Sequence, residues 1–279
     1  MILNNEPMHK HCSLRAGGMV DNFFIPATVK VLSDFLKGNQ QPILMVGLGS
    51  NLLVRDTGFK GTAIKLTHLN QLEFKDHVVH TGAGTTLAKL SRFCDSHSLN
   101  GAEFLSAIPG NVGGALAMNA GAFESEIWSA VKSVTTINHL GEIFTRDKSE
   151  FDIAYRCVVP HQPNEIFIGA NLQFFQTEKQ YNIKALLKKR NDAQPIGLPN
   201  CGSVFKNPQG HYAAKLIEDS NLKGFCIGGA CVSDKHANFI INQNNATATE
   251  IENLIQHIQQ TVQSKFDIDL EMELIITPI

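Results

Sequence analysis

The stretch Ile108-Pro-Gly-Asn-Val-Gly-Gly-Ala-Leu-Ala-Met-Asn-Ala-Gly-Ala-Phe123 is dense in glycine and alanine, yet Val112, Leu116, Met118 and Phe123 interrupt it. A flexible linker would carry small polar residues in place of those apolar side chains. The run reads instead as a permissive turn, in which Gly110, Gly113 and Gly114 allow backbone to approach a large flat ligand closely. A second glycine turn precedes it, Val46-Gly-Leu-Gly-Ser-Asn-Leu-Leu-Val54, placed after the short apolar run Pro42–Val46. Its G-x-G invites a dinucleotide fingerprint, but Leu52 stands where the third glycine belongs. The apolar residues that follow start no helix that could face a pyrophosphate. Gly82-Ala-Gly84 lacks the third glycine as well, which argues against a Rossmann domain. Backbone N–H groups in a tight turn can still form an anion nest, and Gly47, Gly49, Ser50 and Asn51 suit that use. Either turn alone reads first as only a turn; the pair reads equally as a dinucleotide site or as two plain turns.

The wider composition bounds the rest. The 279 residues are long for one domain, and a 43% hydrophobic content is enough to bury a sizeable core. A net charge of −2, with no basic run longer than Lys188-Lys189-Arg190, argues against nucleic acid as a partner. No apolar stretch nears the roughly 20 residues of a membrane span, so membrane insertion is not expected. The opening M-I-L-N-N-E-P-M-H-K-H-C has neither the basic region nor the apolar run of a signal peptide. The six cysteines are scattered without a C-x-x-C pair, so reduced thiols and a cytoplasmic location are expected. His9, His11 and Cys12 have no second cluster to complete a metal site, and no metal is expected.

Along the chain, Pro26–Lys37 and Thr86–His97 carry helical periodicity, and short strands are expected at Pro42–Gly47, Asn51–Arg55, Ala63–Leu66 and Val78–Gly82. Further strands are expected around Val131–Asn138, Glu142–Thr145 and Glu165–Phe175. In the last third, Asn182–Asn191 reads as a basic helix and Ala213–Asp219 as another. Thr247 and Glu250 have capping-box spacing. After them Ile251, Leu254, Ile255, Ile258, Val262 and Phe266 recur at the helical period. Leu270–Ile275 reads as a strand.

Asn200-Cys-Gly-Ser-Val-Phe-Lys-Asn-Pro208 frames a serine, but without the G-x-S-x-G of a nucleophile elbow. Ser203 is therefore not read as an attacking nucleophile. Lys235, His236 and Asn238, between Gly228-Gly229 and Phe239-Ile-Ile, read equally as metal or acid–base groups or as polar residues fixing a turn.

Taken in order, G-L-G-S-N-L-L-V-R-D, the Ile108–Phe123 run, Tyr155-Arg156, G-S-V-F-K-N-P and G-G-A-C-V-S-D-K-H-A-N-F-I-I-N resemble the UDP-N-acetylenolpyruvoylglucosamine reductase family of flavoenzymes. The likeness extends from about Ser13 to Glu273. The fold it implies is α+β: a two-lobed FAD-binding domain of the vanillyl-alcohol oxidase/PCMH type, with lobes at 1–66 and 67–178, plus a C-terminal α+β substrate-binding domain at 179–279. The short connection from Arg156 to Ser203 resembles the compact second type of the family. Non-covalent FAD is implied, because the turns carry no obvious His or Cys anchor.

By that resemblance Gly47, Gly49, Ser50, Asn51, Ile108, Pro109, Gly110, Gly113, Gly114, Asn119 and Gly121 hold the FAD. NADPH is the implied co-substrate and the enolpyruvyl ether of a UDP-sugar the implied substrate. The implied reaction passes a hydride from NADPH through the flavin to the vinyl carbon. Arg156 matches the catalytic arginine, Ser203 the proton donor and Glu273 the C-terminal glutamate, returned by the last strand. Tyr155, Lys206 and Asn207 are expected at the substrate. The family commonly reads L-E-P-E-V-R where this chain has Leu270-Glu-Met-Glu-Leu-Ile, so Glu271 stays open as the alternative to Glu273. Whichever carboxyl acts beside the substrate's own carboxylate is expected to act protonated.

Overall fold

The computed structural model describes residues 1–176 and 183–278. The expected lobe boundary at 178/179 and the expected helix start at Asn182 lie outside the described residues. The chain divides into two compact units, each assembled from separated pieces. One contains 1–3, 23–47 and 63–189; the other contains 4–22, 48–62 and 190–279. Segments of residues 1–66 thus contribute to both. Six α-helices are described: α1 Val29–Gly38, α2 Leu87–Ser96, α3 Val112–Met118, α4 Ile183–Ala193, α5 Ala213–Asp219 and α6 Ala248–Phe266.

The first unit is organised by a five-stranded antiparallel sheet, ordered Ile143–Asp147, Val131–Asn138, Glu165–Leu172, Val78–Gly82 and Leu72–Lys75. Val131–Asn138 buries Val131, Val134, Thr136 and Ile137, its period-2 pattern interrupted by bulges at Val131/Ser133 and Thr135/Thr136. Around α2 and α3, Leu87, Leu90, Val112, Leu116, Trp128 and Phe151 pack with Val134 and Leu172. Around α1, Leu32 and Leu36 pack with Ile137 and Ile168. Thr28 and Thr86 cap α1 and α2 by accepting N–H bonds from Val31 and Lys89. Helix α3 is not foreseen by the glycine-rich composition around it. Asn111 caps its start and Asn119, at φ 47°, closes its end in the left-handed region.

The second unit is built on α6, which buries Ile251, Leu254, Ile255, Ile258 and Val262 as the periodicity predicts. They pack with Val204, Phe205, Leu216, Ile217 and Leu53. Leu52–Leu53 pairs in parallel with Ile275–Ile276. The expected strand Leu270–Ile275 is corrected: only Ile275 of it lies in this pair, and Met272 makes an isolated bridge to Phe205. The strands Cys226–Ile227, Ala230–Val232 and Ile240–Asn242 form a small antiparallel sheet. Within it Cys226 and Cys231 face one another across the hairpin and are joined by a disulfide. The expectation of six reduced thiols is corrected for this pair: the Gly228-Gly229 turn folds two cysteines, separated in sequence, into register. Cys12, Cys94, Cys157 and Cys201 carry thiols.

The start of α6 recruits a distant segment. Thr247 and Glu250 form the capping box read from the sequence. Asp56 completes it, accepting the Ala248 and Thr249 N–H groups at 3.0 and 2.9 Å and the Thr249 hydroxyl at 2.7 Å. Next to it, Arg55 donates to Glu252 at 3.0 Å and to the Thr277 carbonyl. Partial desolvation pushes the Asp56 pKa up, but the bonds from Thr249 and Ala248 outweigh it and hold the carboxyl below its ordinary value. A depressed acid stabilises the fold above its unfolded pKa, about 3.9, and loses that contribution as pH falls through the folded value. Asp56→Ala is expected to lose about 1 kcal/mol at pH 7, the gap to wild type closing below about pH 4. Urea denaturation across pH measures it; a gap that persists undiminished in acid contradicts the capping role.

Candidate active site

In the first unit the two glycine turns read from the sequence meet. Gly47 follows the strand Ile43–Val46, and a Cβ there would lie 2.9 Å from Asn111 Oδ1. Asn111 Oδ1 also accepts the Gly114 N–H at 3.1 Å, so one side chain caps α3 and packs on the earlier turn. The Gly110–Gly114 backbone is pinned by Leu87 N–H to the Gly110 carbonyl (3.0 Å), Val112 N–H to Thr85 (2.9 Å) and Gly113 N–H to Ala83 (2.9 Å). Ile108 closes on Leu105 at 3.2 Å, and Pro109 is exposed. A Cβ at Gly110 would meet only Leu87 Cδ1 at 3.4 Å, and neither Gly110 nor Gly114 has a left-handed φ. At Gly110 the protein's own packing does not demand glycine; the bare Cα keeps the outer side of the turn open. Small residues, rigid backbone and an uncovered surface fit the close approach of FAD.

Asn119 is fully buried. Its amide donates to Glu126 Oε2 at 2.8 Å and to the Ala154 carbonyl at 3.1 Å, and its Oδ1 accepts the Trp128 N–H at 3.4 Å. Its own carbonyl and that of Gly121 receive the Arg156 guanidinium, at 3.4 and 2.8 Å. Tyr155 and Arg156 form the two-residue turn of the hairpin Phe151–Ala154/Cys157–Pro160. Arg156 sits there at φ 52°, where glycine is the usual occupant and other residues cost about 1–2 kcal/mol. Tyr155 is 47% exposed, with its ring 5.0 Å from the guanidinium carbon. The structure therefore brings Asn119, Gly121, Tyr155 and Arg156 together.

In the second unit Gly49 has φ +69°, and a Cβ there would lie 1.8 Å from the His11 carbonyl, so only glycine fits. Its own carbonyl accepts the Ser13 N–H at 2.9 Å, while Ser50 and Asn51 follow half-buried. Asn51 Nδ2 donates to the Glu273 carbonyl at 2.9 Å. The Glu273 N–H in turn donates to the Val204 carbonyl at 2.8 Å, and the Lys206 N–H to the Glu271 carbonyl at 2.8 Å. Ser203, half-buried and preceded by Gly202, is thus anchored beside Glu273. Buried Cys201 has its thiol pushed up to about 12, by burial first and with the Glu273 charge adding to it. Lys206 Nζ pairs with Glu271 Oε1 at 2.5 Å, and the Glu271 side chain is 72% exposed. Asn207 caps α5 by accepting the Ala213 N–H at 3.1 Å.

Asn111 is not singled out by the sequence reading, and Asn238 is read only as a metal, acid–base or turn-fixing candidate, although each bonds residues next to the predicted site. Asn111 could have been found from the Asn-Val-Gly-Gly spacing of an N-cap; Asn238 acts through long-range bonds that leave no local pattern. Lys235 reaches the Asn191 carbonyl at 2.5 Å, and the Ser233 hydroxyl accepts the Lys235 and His236 N–H groups, as turn-fixing residues would. Among the described residues no group of three His, Cys, Asp or Glu side chains could hold a metal. No described helix is long and apolar enough to cross a membrane.

Residues 21–146 match the family of FAD binding domains, which makes the chain a flavin-dependent oxidoreductase with FAD as its cofactor. Residues 194–277 match the C-terminal domain of UDP-N-acetylenolpyruvoylglucosamine reductase. Enzymes of that name from Coxiella burnetii and Clostridium tetani are 44% and 41% identical to the chain, covering 96% and 99% of it and 93% and 92% of themselves. The crystal structure of the Thermus caldophilus reductase superposes with a TM-score of 0.84 at 29% identity, covering 100% of this chain and 98% of that one. The chain belongs to the UDP-N-acetylenolpyruvoylglucosamine reductase family. The Gly47–Asn111 approach gives a direct test. Gly47→Ala is expected to weaken FAD binding about tenfold, equivalent to about 1.4 kcal/mol. Flavin-fluorescence titration of the apoprotein measures it, and unchanged affinity removes this turn from the cofactor site.

Proposed function

We propose that this chain reduces the enolpyruvyl group of UDP-N-acetylglucosamine-enolpyruvate to UDP-N-acetylmuramate, with NADPH as electron donor, in peptidoglycan precursor synthesis. The observation that carries the assignment of roles is the Glu273 N–H bonded to the Val204 carbonyl at 2.8 Å. Two residues far apart in sequence, Ser203 and Glu273, are held on adjoining backbone. FAD, when bound, supplies the hydride that it takes from NADPH. In this reading Gly47, Gly49, Ser50 and Asn51 serve the pyrophosphate, and Ile108–Gly114, with Asn119 and Gly121, support the flavin.

Hydride arriving at the terminal vinyl carbon moves negative charge onto the neighbouring carbon and its carboxylate. A guanidinium suits that product, since its planar fork can bind both oxygens of the enolate. The Asn119 and Gly121 carbonyls hold part of the Arg156 fork and so aim the rest of it. The strained turn position is consistent with a side chain retained for function. Ser203 then donates its hydroxyl proton to carbon, and its oxygen is reprotonated by solvent water. An alcohol is a weak acid, but the enolate carbon is a strong base, and the two need only be aligned. Glu271 is paired with Lys206 and exposed, which favours Glu273 for the acid role. Tyr155, Lys206 and Asn207 contact the sugar nucleotide; the ion pair with Glu271 holds Lys206 in place for it. The dependence on NADPH and a nucleotide-sugar fits an enzyme of the cytoplasm.

The test separates the two halves of the reaction. Under anaerobic conditions Ser203→Ala is expected to be reduced by NADPH at the wild-type rate. Its reoxidation by the enolpyruvyl sugar nucleotide is expected to be at least about 100-fold slower. Equal slowing of both steps would make Ser203 structural.

A further inference from the structure

We infer that Asn238 is a positioning residue for the proton-donating step, acting through Ser203; the inference rests on the assignment of Ser203 as proton donor. Asn238 is 4% exposed, and its side chain is spent entirely on one backbone segment. Oδ1 accepts the Phe205 N–H at 3.0 Å, and Nδ2 donates to the Phe205 carbonyl at 2.8 Å. A single amide thereby satisfies both main-chain groups of one residue, as a neighbouring strand does in an antiparallel pair. The Asn238 carbonyl takes the Val204 N–H at 3.0 Å as well. On the other side of the same segment, Val204 accepts from Glu273 and Leu274, and Lys206 donates to Glu271. The three residues that follow Ser203 are therefore held between Asn238 and the Glu271–Leu274 segment. The Phe205 ring, 1% exposed, fixes the segment in the core.

Asn238 is itself immobilised. The Ser233 N–H bonds the Phe239 carbonyl at 2.9 Å, and the Phe239 N–H bonds the His236 carbonyl at 3.1 Å. With the Ser233 hydroxyl on Lys235 and His236, the Ser233–Phe239 turn is closed at both ends. Its polar residues thus acquire a role the sequence leaves open. They build a rigid base for Asn238, which sets the position of Ser203 relative to Glu273. Without the amide, the buried Phe205 N–H and carbonyl lose their partners, and the segment shifts to find others. A displacement of about 1 Å in a proton donor slows its step by up to about 100-fold.

Anaerobic half-reactions read this out. Asn238→Ala is expected to be reduced by NADPH at the wild-type rate and reoxidised by the enolpyruvyl sugar nucleotide about 10- to 100-fold more slowly. Combined with Ser203→Ala it is expected to slow reoxidation no further, since both changes remove one function. Asn238→Asp keeps the size and the acceptor but loses the donor to Phe205; it gives the same readout and replaces the alanine variant where that fails to accumulate. Unchanged reoxidation in both variants, equal slowing of both half-reactions, or additivity with Ser203→Ala overturns the positioning role alone. Wild-type reoxidation in Ser203→Ala overturns the Ser203 assignment and the positioning role with it.

Discussion

The clamp made by Arg55 and Asp56 on helix α6 is the constraint from which the second unit follows. Asp56 closes the first turn of the helix, and Arg55 holds Glu252 and the Thr277 carbonyl. Each group is charged or carries an otherwise orphaned helix N–H, so these contacts are among the stronger ones such a fold can make. Their effect is to fix a short segment that has little other regular structure. Leu52–Leu53 can then pair in parallel with Ile275–Ile276, and Asn51 can reach the Glu273 carbonyl. From Glu273 the order passes to Val204, and from Val204 to Asn238. The final residues of G-L-G-S-N-L-L-V-R-D thus order the backbone at Glu273 and Val204 as well as a turn.

The first unit meets a comparable demand by different means. A flat cofactor needs backbone without side chains, and such backbone is floppy unless something stiffens it. Here Asn111 and Asn119 cap the two ends of a seven-residue helix whose sequence contains two glycines. Asn119 carries the stiffness onward, since its carbonyl and that of Gly121 receive Arg156. Asn119, Phe123, Glu124 and Arg156 are among the non-glycine residues with left-handed backbone, which are spread along the described chain. Such conformations persist where surrounding bonds over-determine them, and they concentrate where function requires a side chain on a tight turn.

Much of this was legible in the sequence. Helix α6 and its capping box follow from period and spacing, because its burial is decided by one face of one segment. The two glycine turns were visible as a pair, and the resemblance to a reductase family assigned them a cofactor. Three things were not legible, each for a physical reason. Helix α3 was hidden because it is only seven residues long and its two adjacent glycines disfavour helix on propensity, although Val112, Ala115 and Leu116 recur at the helical spacing. The division into units was hidden because residues 4–22 and 48–62 join the C-terminal part through contacts distant in sequence. The Cys226–Cys231 disulfide was hidden because a hairpin register, rather than a cysteine motif, brings the two sulfurs together.

In the proposed reaction the substrate's carboxylate-bearing carbon receives its proton from a protein hydroxyl in equilibrium with solvent. The direct measurement is a single turnover in D2O: enzyme reduced anaerobically with NADPH, mixed with the enolpyruvyl sugar nucleotide, and the product examined by NMR. Full flavin reoxidation and deuterium at the carbon bearing the carboxylate are expected. Product carrying only protium at that carbon, or flavin that stays reduced, would contradict the proposed reaction.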